Sequence, residues 1–291
     1  MNSPPMWSCP AKDHCSFVGK EFCGHQKTSP IVRSYHGVPG TIAQPECYLA
    51  HAFYCWQAWL SLQNRYKHPV KRILDALLDA NLDEGTVQRL IGIEIIHHDI
   101  GKLTQEYQLG QHGYRHELLS AVLLYDAFKA EVLQHAPRHA DLIAAIFSAS
   151  VYLHHEGLHI TQRHLDLRAP SYSFLLSQLS GQVVRLRDDW WDITQGLTNA
   201  LLVAPLKWRP QDRLEGTQIA GETLAKQLGE IIVTVDGYVD PLAIRLAVAA
   251  TAHPLKVCDN LSARSRGGAP GRFSQLLSRL VESGAVRVIE D

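Results

Sequence analysis

From about residue 46 onward, apolar side chains recur at three- and four-residue spacing through most of the chain, and that period commits the body to amphipathic helices packed on one another. The spacing predicts helices over approximately 46–65, 69–80, 84–98, 115–134 and 139–155, joined by short loops. After a polar stretch around 157–171, further helices are expected near 172–186, 189–203 and 215–233. Asp240 and Pro241 then supply the cap and first-turn signals of a long helix reaching about 263, kinked at Pro254. Residues 264–271 read as a linker or loop, followed by a helix at about 272–283 and a short strand over 285–289. Residues 1–45, rich in Gly, Pro, Ser and Lys, show no sustained period and read as an irregular extension with room for one short hairpin. The expected fold class is therefore all-α: a helical bundle over 46–265, preceded by the extension and followed by a linker and helix (266–291) packed on the domain.

An apolar content of 46% with 20% charged residues fits a soluble globular protein with a sizeable core. The formal charge of −1 gives no overall basic field, which excludes a nonspecific DNA coat and leaves any nucleic-acid contact to a local patch. No apolar run reaches the roughly 18 residues of a membrane span, and Met1–Pro10 lacks the basic start and apolar stretch of a secretory signal, so a cytoplasmic location without a membrane partner is expected. Five of the six cysteines fall in the first 55 residues. Cys9, Cys15 and Cys23, interleaved with His14 and His25, are candidates for a structural zinc, yet they contain no C-x-x-C pair and match no familiar zinc module. Free thiols in a reducing compartment are the simpler reading, with a local disulfide as the other. The count of 16 histidines makes a metal site worth seeking.

The most informative stretch is Ile95-Ile96-His97-His98-Asp99-Ile100-Gly101-Lys102, where an apolar helix ends in a His-Asp pair and a glycine turn. A carboxylate at a buried helix end must be paired or bound to a metal, because an unpaired buried charge loses several kcal/mol of hydration. A His-Asp dipeptide arises often by chance, so its companions decide. His51 sits in an apolar helix among Leu49, Phe53, Trp56 and Leu60. His116 opens another in Tyr114-Arg115-His116-Glu117, His154-His155 closes a third before Glu156-Gly157, and Asp259 lies late in the long C-terminal helix. Each has an ordinary reading as a satisfied core or capping residue, but five polar interruptions on five apolar helices together supply the nitrogen and oxygen ligands of a dinuclear site. His97 points about 100° away from His98 on the same helix and is expected to pack or cap.

In that order, H … HD-x-x-K … H … HH … D, the sequence resembles the HD phosphohydrolase superfamily in its two-metal form, and most closely the HD nuclease of type I CRISPR interference systems. The segments that carry the resemblance are His98–Lys102, Arg115–Ala121, His154–Gly157 and Asp259–Ala263. It implies an HD-domain bundle in which His51, His98, Asp99 and Asp259 hold one metal and Asp99 bridges to a second held by His116, His154 and His155. Histidine-rich ligation favours Mn, Fe, Co or Ni, with Mg as the alternative. Lys102, three residues after Asp99, is expected to face the same side and neutralise a phosphate oxygen, its plainer reading being an exposed cap on the helix end. Glu117 and Glu156 are candidate acceptors for the outer nitrogens of ligating histidines. The implied activity is two-metal hydrolysis of phosphodiester bonds in single-stranded DNA, with His98, Asp99 and Lys102 at the chemistry.

The chain contains no G-x-x-x-x-G-K-[ST] phosphate loop, so the resemblance implies a separate helicase subunit and a crRNA-guided surveillance complex as partners. Lys256, Arg264, Arg266 and Arg272, near Asp259, are candidates to guide a strand, as are Lys207, Arg209 and Arg213 beside Trp208. The plainer reading of both groups is a solvated charged face, which explains the Lys207, Arg209 and Arg213 group at least as well. Trp190-Trp191 could stack bases, the simpler reading being that they fill core or a partner interface. Two rival functions remain: an HD phosphohydrolase acting on nucleotides or cyclic dinucleotides, and a metal-free HD scaffold, whose signature of missing ligands is not seen.

Overall fold

The computed structural model describes residues 32–35, 46–111, 115–155, 179–202, 206, 217–236 and 240–264. These contain eight α-helices: α1 (Tyr48–Leu78), α2 (Glu84–His97), α3 (Gln105–Gln108), α4 (His116–Val132), α5 (Ala140–Tyr152), α6 (Trp190–Leu201), α7 (Gly221–Asp236) and α8 (Pro241–Arg264). Four short strands, β1 (Arg33–Tyr35), β2 (Glu46–Cys47), β3 (Val183–Arg185) and β4 (Gln218–Ala220), form two antiparallel pairs, β1 with β2 and β3 with β4. The fold is all-α, as the periodicity requires. The described residues fall into two compact units, one comprising those up to Ser61 together with those from Val257, the other Leu62–Lys256.

In the larger unit α2 is the central element. Val87, Leu90, Ile91, Ile93, Ile95 and Ile96 bury it almost all round, and such a helix needs neighbours on every side. It packs against α4, α5 and α6, while α4 and α5 form the most extensive helix pair and α7 lies against both. Phe128 of α4 and Phe147 of α5 meet with ring centroids 5.3 Å apart; each such fully buried apolar side chain contributes about 1.5–3 kcal/mol. Asp83 caps α2, its Oδ1 accepting from the Thr86 amide at 2.9 Å. Arg89 of α2 holds Glu131 of α4 in a two-pronged pair at 2.8 and 2.9 Å.

Three expectations are corrected. The helices predicted over 46–65 and 69–80 are one helix, α1, running through Pro69. A helix-interior proline costs about 3 kcal/mol, but Val70, Leu74 and Leu78 continue a buried stripe at four-residue spacing beyond it, and keeping that stripe in phase more than offsets the lost hydrogen bond. The predicted helix over 172–186 ends in strand instead: Val183, Val184 and Arg185 pair with Ala220, Ile219 and Gln218. Correspondingly, the helix expected from 215 starts only at Gly221, after β4. A Cβ on Gly221 would lie 1.8 Å from the Leu179 carbonyl oxygen, so the strand-to-helix turn passes where only glycine fits. Strands of three residues are too short for their alternation to register beside helical periods.

In the smaller unit β1, within the extension, pairs with β2, at the residues expected to open the first helix, with Arg33 opposite Cys47 and Tyr35 opposite Glu46. Tyr48 continues the contact, its amide donating to the Val32 carbonyl at 2.9 Å. The long C-terminal helix begins as expected: Asp240 Oδ1 accepts from the Leu242 and Ala243 amides at 3.0 and 3.1 Å. Pro254 lies inside it. The expectations for 172–178, 264–271 beyond Arg264, 272–283 and 285–289 fall outside the described residues. Among those described, no helix is long and apolar enough to cross a membrane.

Candidate metal centre

Two groups of metal-type donors can be built from the residues upward, one in each unit. In the larger unit the starting point is the C-terminal end of α2. His97 turns into the core, its Nε2 2.8 Å from Thr198 Oγ1 on α6, and burial together with the adjoining His98 lowers its pKa to about 3. It is a neutral packing residue, as its angular offset implies. His98 Nδ1 lies 2.9 Å from the Ile95 carbonyl. A carbonyl only accepts, so Nδ1 carries the proton and Nε2 keeps its lone pair. That Nε2 is 3.6 Å from Asp99 Oδ2.

After Asp99 the chain tightens into a 3-10 turn, Ile100–Leu103, which folds Lys102 back so that its Nζ donates to Asp99 Oδ2 at 2.6 Å. Lys102 is buried, so the reading of an exposed helix cap is discarded. Gly101 makes this turn possible: a Cβ there would stand 2.1 Å from the His116 carbonyl oxygen, and the Gly101 amide donates to Ser120 Oγ at 2.9 Å. The turn thus lies directly on the first turns of α4 and brings His116 to Asp99, Nε2 to Oδ1, at 3.0 Å.

His154, just past α5, donates from Nδ1 to the Val151 carbonyl at 2.6 Å and faces Asp99 Oδ1 with Nε2 at 3.7 Å. His155 Nε2 lies 3.1 Å from His116 Nε2. Ligand atoms of Asp99, His116, His154 and His155 all fall within 4.8 Å of one another. Two imidazole nitrogens at 3.1 Å require a proton or a cation between them, and burial with the Lys102 ammonium lowers His116 to about 4 against the opposing pull of Asp99 and Glu117. Imidazole nitrogens set around a carboxylate fit a divalent ion. Burial pushes the Asp99 carboxyl upward, but Lys102, His98, His116 and His154 outweigh it and hold the group well below the usual carboxylate range. Glu117, one of the candidate acceptors, places Oε2 3.5 Å from His116 Nδ1.

In the smaller unit His51 and Asp259 come together, Nε2 to Oδ1, at 3.3 Å. Ser262 Oγ lies 3.2 Å from the His51 carbonyl, to which it donates, and 3.0 Å from His51 Nδ1, from which it accepts. That chain of protons again leaves Nε2 as the lone-pair nitrogen. Cys55, one turn after His51, places its thiol 3.6 Å from the same Nε2. Sequence reasoning missed Cys55, although its four-residue offset from His51 puts it on the same helix face.

It also missed Glu94, buried in α2 and hydrogen-bonded to Ser150 of α5; nothing in an apolar helix run marks such a pair. Of the candidate strand-guiding residues, Lys256 is half-buried in α8 and Arg264 ends that helix. Arg266, Arg272, Lys207, Trp208, Arg209, Arg213, Glu156 and the Cys9, Cys15, Cys23, His14 and His25 group lie outside the described residues. Trp190 fills core, its ring 5.4 Å from that of Trp191.

The chain is 24% identical to the CRISPR-associated Cas3 HD domain protein of Methanocaldococcus jannaschii, aligning over 76% of this chain and 99% of that one with a TM-score of 0.51. It also aligns with T. fusca Cas3 at 17% identity, over 82% of this chain but 27% of that one, with a TM-score of 0.35. No curated protein matches. Residues 49–225 match the family described as Cas3, HD domain, a span that takes in His51, His98, Asp99, Lys102, His116, His154 and His155. With more than half its length inside that match, the chain belongs to the Cas3 HD-domain family of CRISPR-associated nucleases.

Proposed function

We propose that this protein cuts single-stranded DNA by two-metal hydrolysis, acting on a strand exposed by a separate helicase subunit within a crRNA-guided complex. The observation that carries the reading is the way Asp99 divides its two oxygens. Oδ1 faces His116 and His154, and Oδ2 faces His98 and Lys102. A carboxylate so divided is suited to bridge two ions about 3.5–4 Å apart. In this reading His51, His98, Asp99 and Asp259 serve one ion, and Asp99, His116, His154 and His155 the other. Divalent ions in such positions supply a nucleophile at neutral pH and stabilise charge on the phosphate.

The protein's own residues set the conditions for that chemistry. The carbonyls of Ile95 and Val151 fix the ring orientations of His98 and His154. Lys102 keeps Asp99 ionised, and its ammonium is the cation best placed to meet a phosphate oxygen once an ion takes up part of the carboxylate charge. Lys256, Arg264 and Arg266 are proposed to guide the strand by contacts to its backbone.

The test measures cleavage of circular single-stranded DNA, and hydrolysis of nucleotides and cyclic dinucleotides, across a series of Mn, Fe, Co, Ni and Mg. The expected result is EDTA-sensitive DNA cleavage that disappears in His98→Ala and Asp99→Ala while circular dichroism stays helical. Retained cleavage in both variants would overturn the reading, and faster turnover of the nucleotides would reassign the substrate.

A further inference from the structure

We propose that Cys55 is a ligand of the ion held by His51 and Asp259, so that this position adds a sulfur to its nitrogen and oxygen donors. The inference rests on the proposed metal role of His51 and Asp259, and adds to it a donor that the HD sequence pattern does not contain.

The geometry carries it. Bond lengths of about 2.0–2.1 Å to nitrogen and oxygen and about 2.3 Å to sulfur, at tetrahedral angles, put nitrogen and sulfur about 3.5 Å apart and nitrogen and oxygen about 3.4 Å apart. Cys55 Sγ and Asp259 Oδ1 stand 3.6 and 3.3 Å from His51 Nε2. Right-angle coordination would call for about 3.1 and 2.9 Å. Both separations are therefore those of donors able to share one ion, and the ligand atoms of all three residues lie within 4.8 Å of one another.

The surroundings agree. Cys55 is fully buried, His51 nearly so, and Asp259 half-buried. His51 is anchored from behind by Ser262, so its lone pair is directed to the side on which Cys55 and Asp259 lie. His51 and Cys55 are four residues apart on α1, so one helix turn fixes their separation without help from a loop. Ion binding replaces the thiol hydrogen, releasing one proton to solvent and forming one sulfur–metal bond. A thiolate in the set shifts preference towards zinc, cobalt(II) or iron(II) and away from magnesium and manganese.

The experiment loads the full-length protein, stripped of metal under reducing conditions, with cobalt(II) and records its absorption, alongside cobalt and zinc titrations by equilibrium dialysis. The wild type should show a sulfur-to-cobalt charge-transfer band in the near ultraviolet. Cys55→Ser and Cys55→Ala should lose that band and bind one cobalt or zinc ion about tenfold or more weakly, with helical content unchanged. The same band and affinity in both variants would overturn the assignment of Cys55. The His51→Ala and Asp259→Asn variants separate the two levels of inference. If they lose an ion while the Cys55 variants lose nothing, only the thiolate fails; if they bind as many ions as wild type, the underlying ligand reading fails with it.

Discussion

Glu94 and Asp99 are carboxylic acids five residues apart, one within α2 and one in the turn that follows it, and both are buried. Burial pushes Glu94 well above its ordinary value of 4.5, whereas Asp99 is held well below its own. The Ser150 hydroxyl is directed at both Glu94 Oε1 and the Phe147 carbonyl, the latter at 2.8 Å. Glu94 meets one hydroxyl, while Asp99 meets an ammonium and three imidazoles. Burial opposes the charge on both, and the neighbours decide which of them is favoured. The difference also divides labour. The Glu94–Ser150 pair ties α2 to α5 one turn before His98 and His154, and the carboxylate favoured by its neighbours stands at the site that those histidines face.

The comparison can be broken first at Asp99. Asp99→Asn, nearly isosteric but uncharged, is expected to lower metal-dependent cleavage about a thousandfold or more, because both oxygens face ligand groups; steady-state rates across the metal series check this. Lys102→Met should push Asp99 towards the condition of Glu94. Without its ammonium, the metal-free protein should lose about 3–5 kcal/mol, the usual cost of stripping one partner from a buried pair. Urea denaturation in EDTA measures that loss, and saturating metal should recover much of it.

Glu94→Gln sharpens the contrast through pH. A carboxyl whose folded pKa lies above its unfolded value stabilises the fold fully below about pH 4.5, and that contribution is gone once pH passes the raised value. Within that interval the wild type should lose about 1.4 kcal/mol per pH unit relative to Glu94→Gln, read from denaturation midpoints at successive pH values. The smallest effect belongs to Thr198→Val, which removes the partner of neutral His97 and should cost about 1 kcal/mol in thermal stability.

The parts of the molecule that followed from sequence are those in which one period or one motif carries the information. The apolar spacing gave α2, α4 and α5 to within a few residues, and His98, Asp99 and His116 are brought together as their pattern implied. The parts that did not follow depend on remote partners. Val183–Arg185 is strand only because Gln218–Ala220, more than thirty residues on, lies beside it. Pro69 stays inside a helix because the stripe on either side outweighs its local preference. Cys55 reads as an ordinary core residue until Asp259 arrives from the far end of the chain, and Glu94 reads as a surface charge until Ser150 closes over it.

The approach of Gly101 to the His116 carbonyl has a wider meaning. Here two stretches of main chain rest on each other, so the gap between Asp99 and His116 is gauged by peptide dimensions, which do not change when side chains are replaced. The ruler of the site is therefore independent of the residues around its rim. A single added methyl group at residue 101 would do more to the spacing of Asp99 and His116 than many bolder changes at the surface.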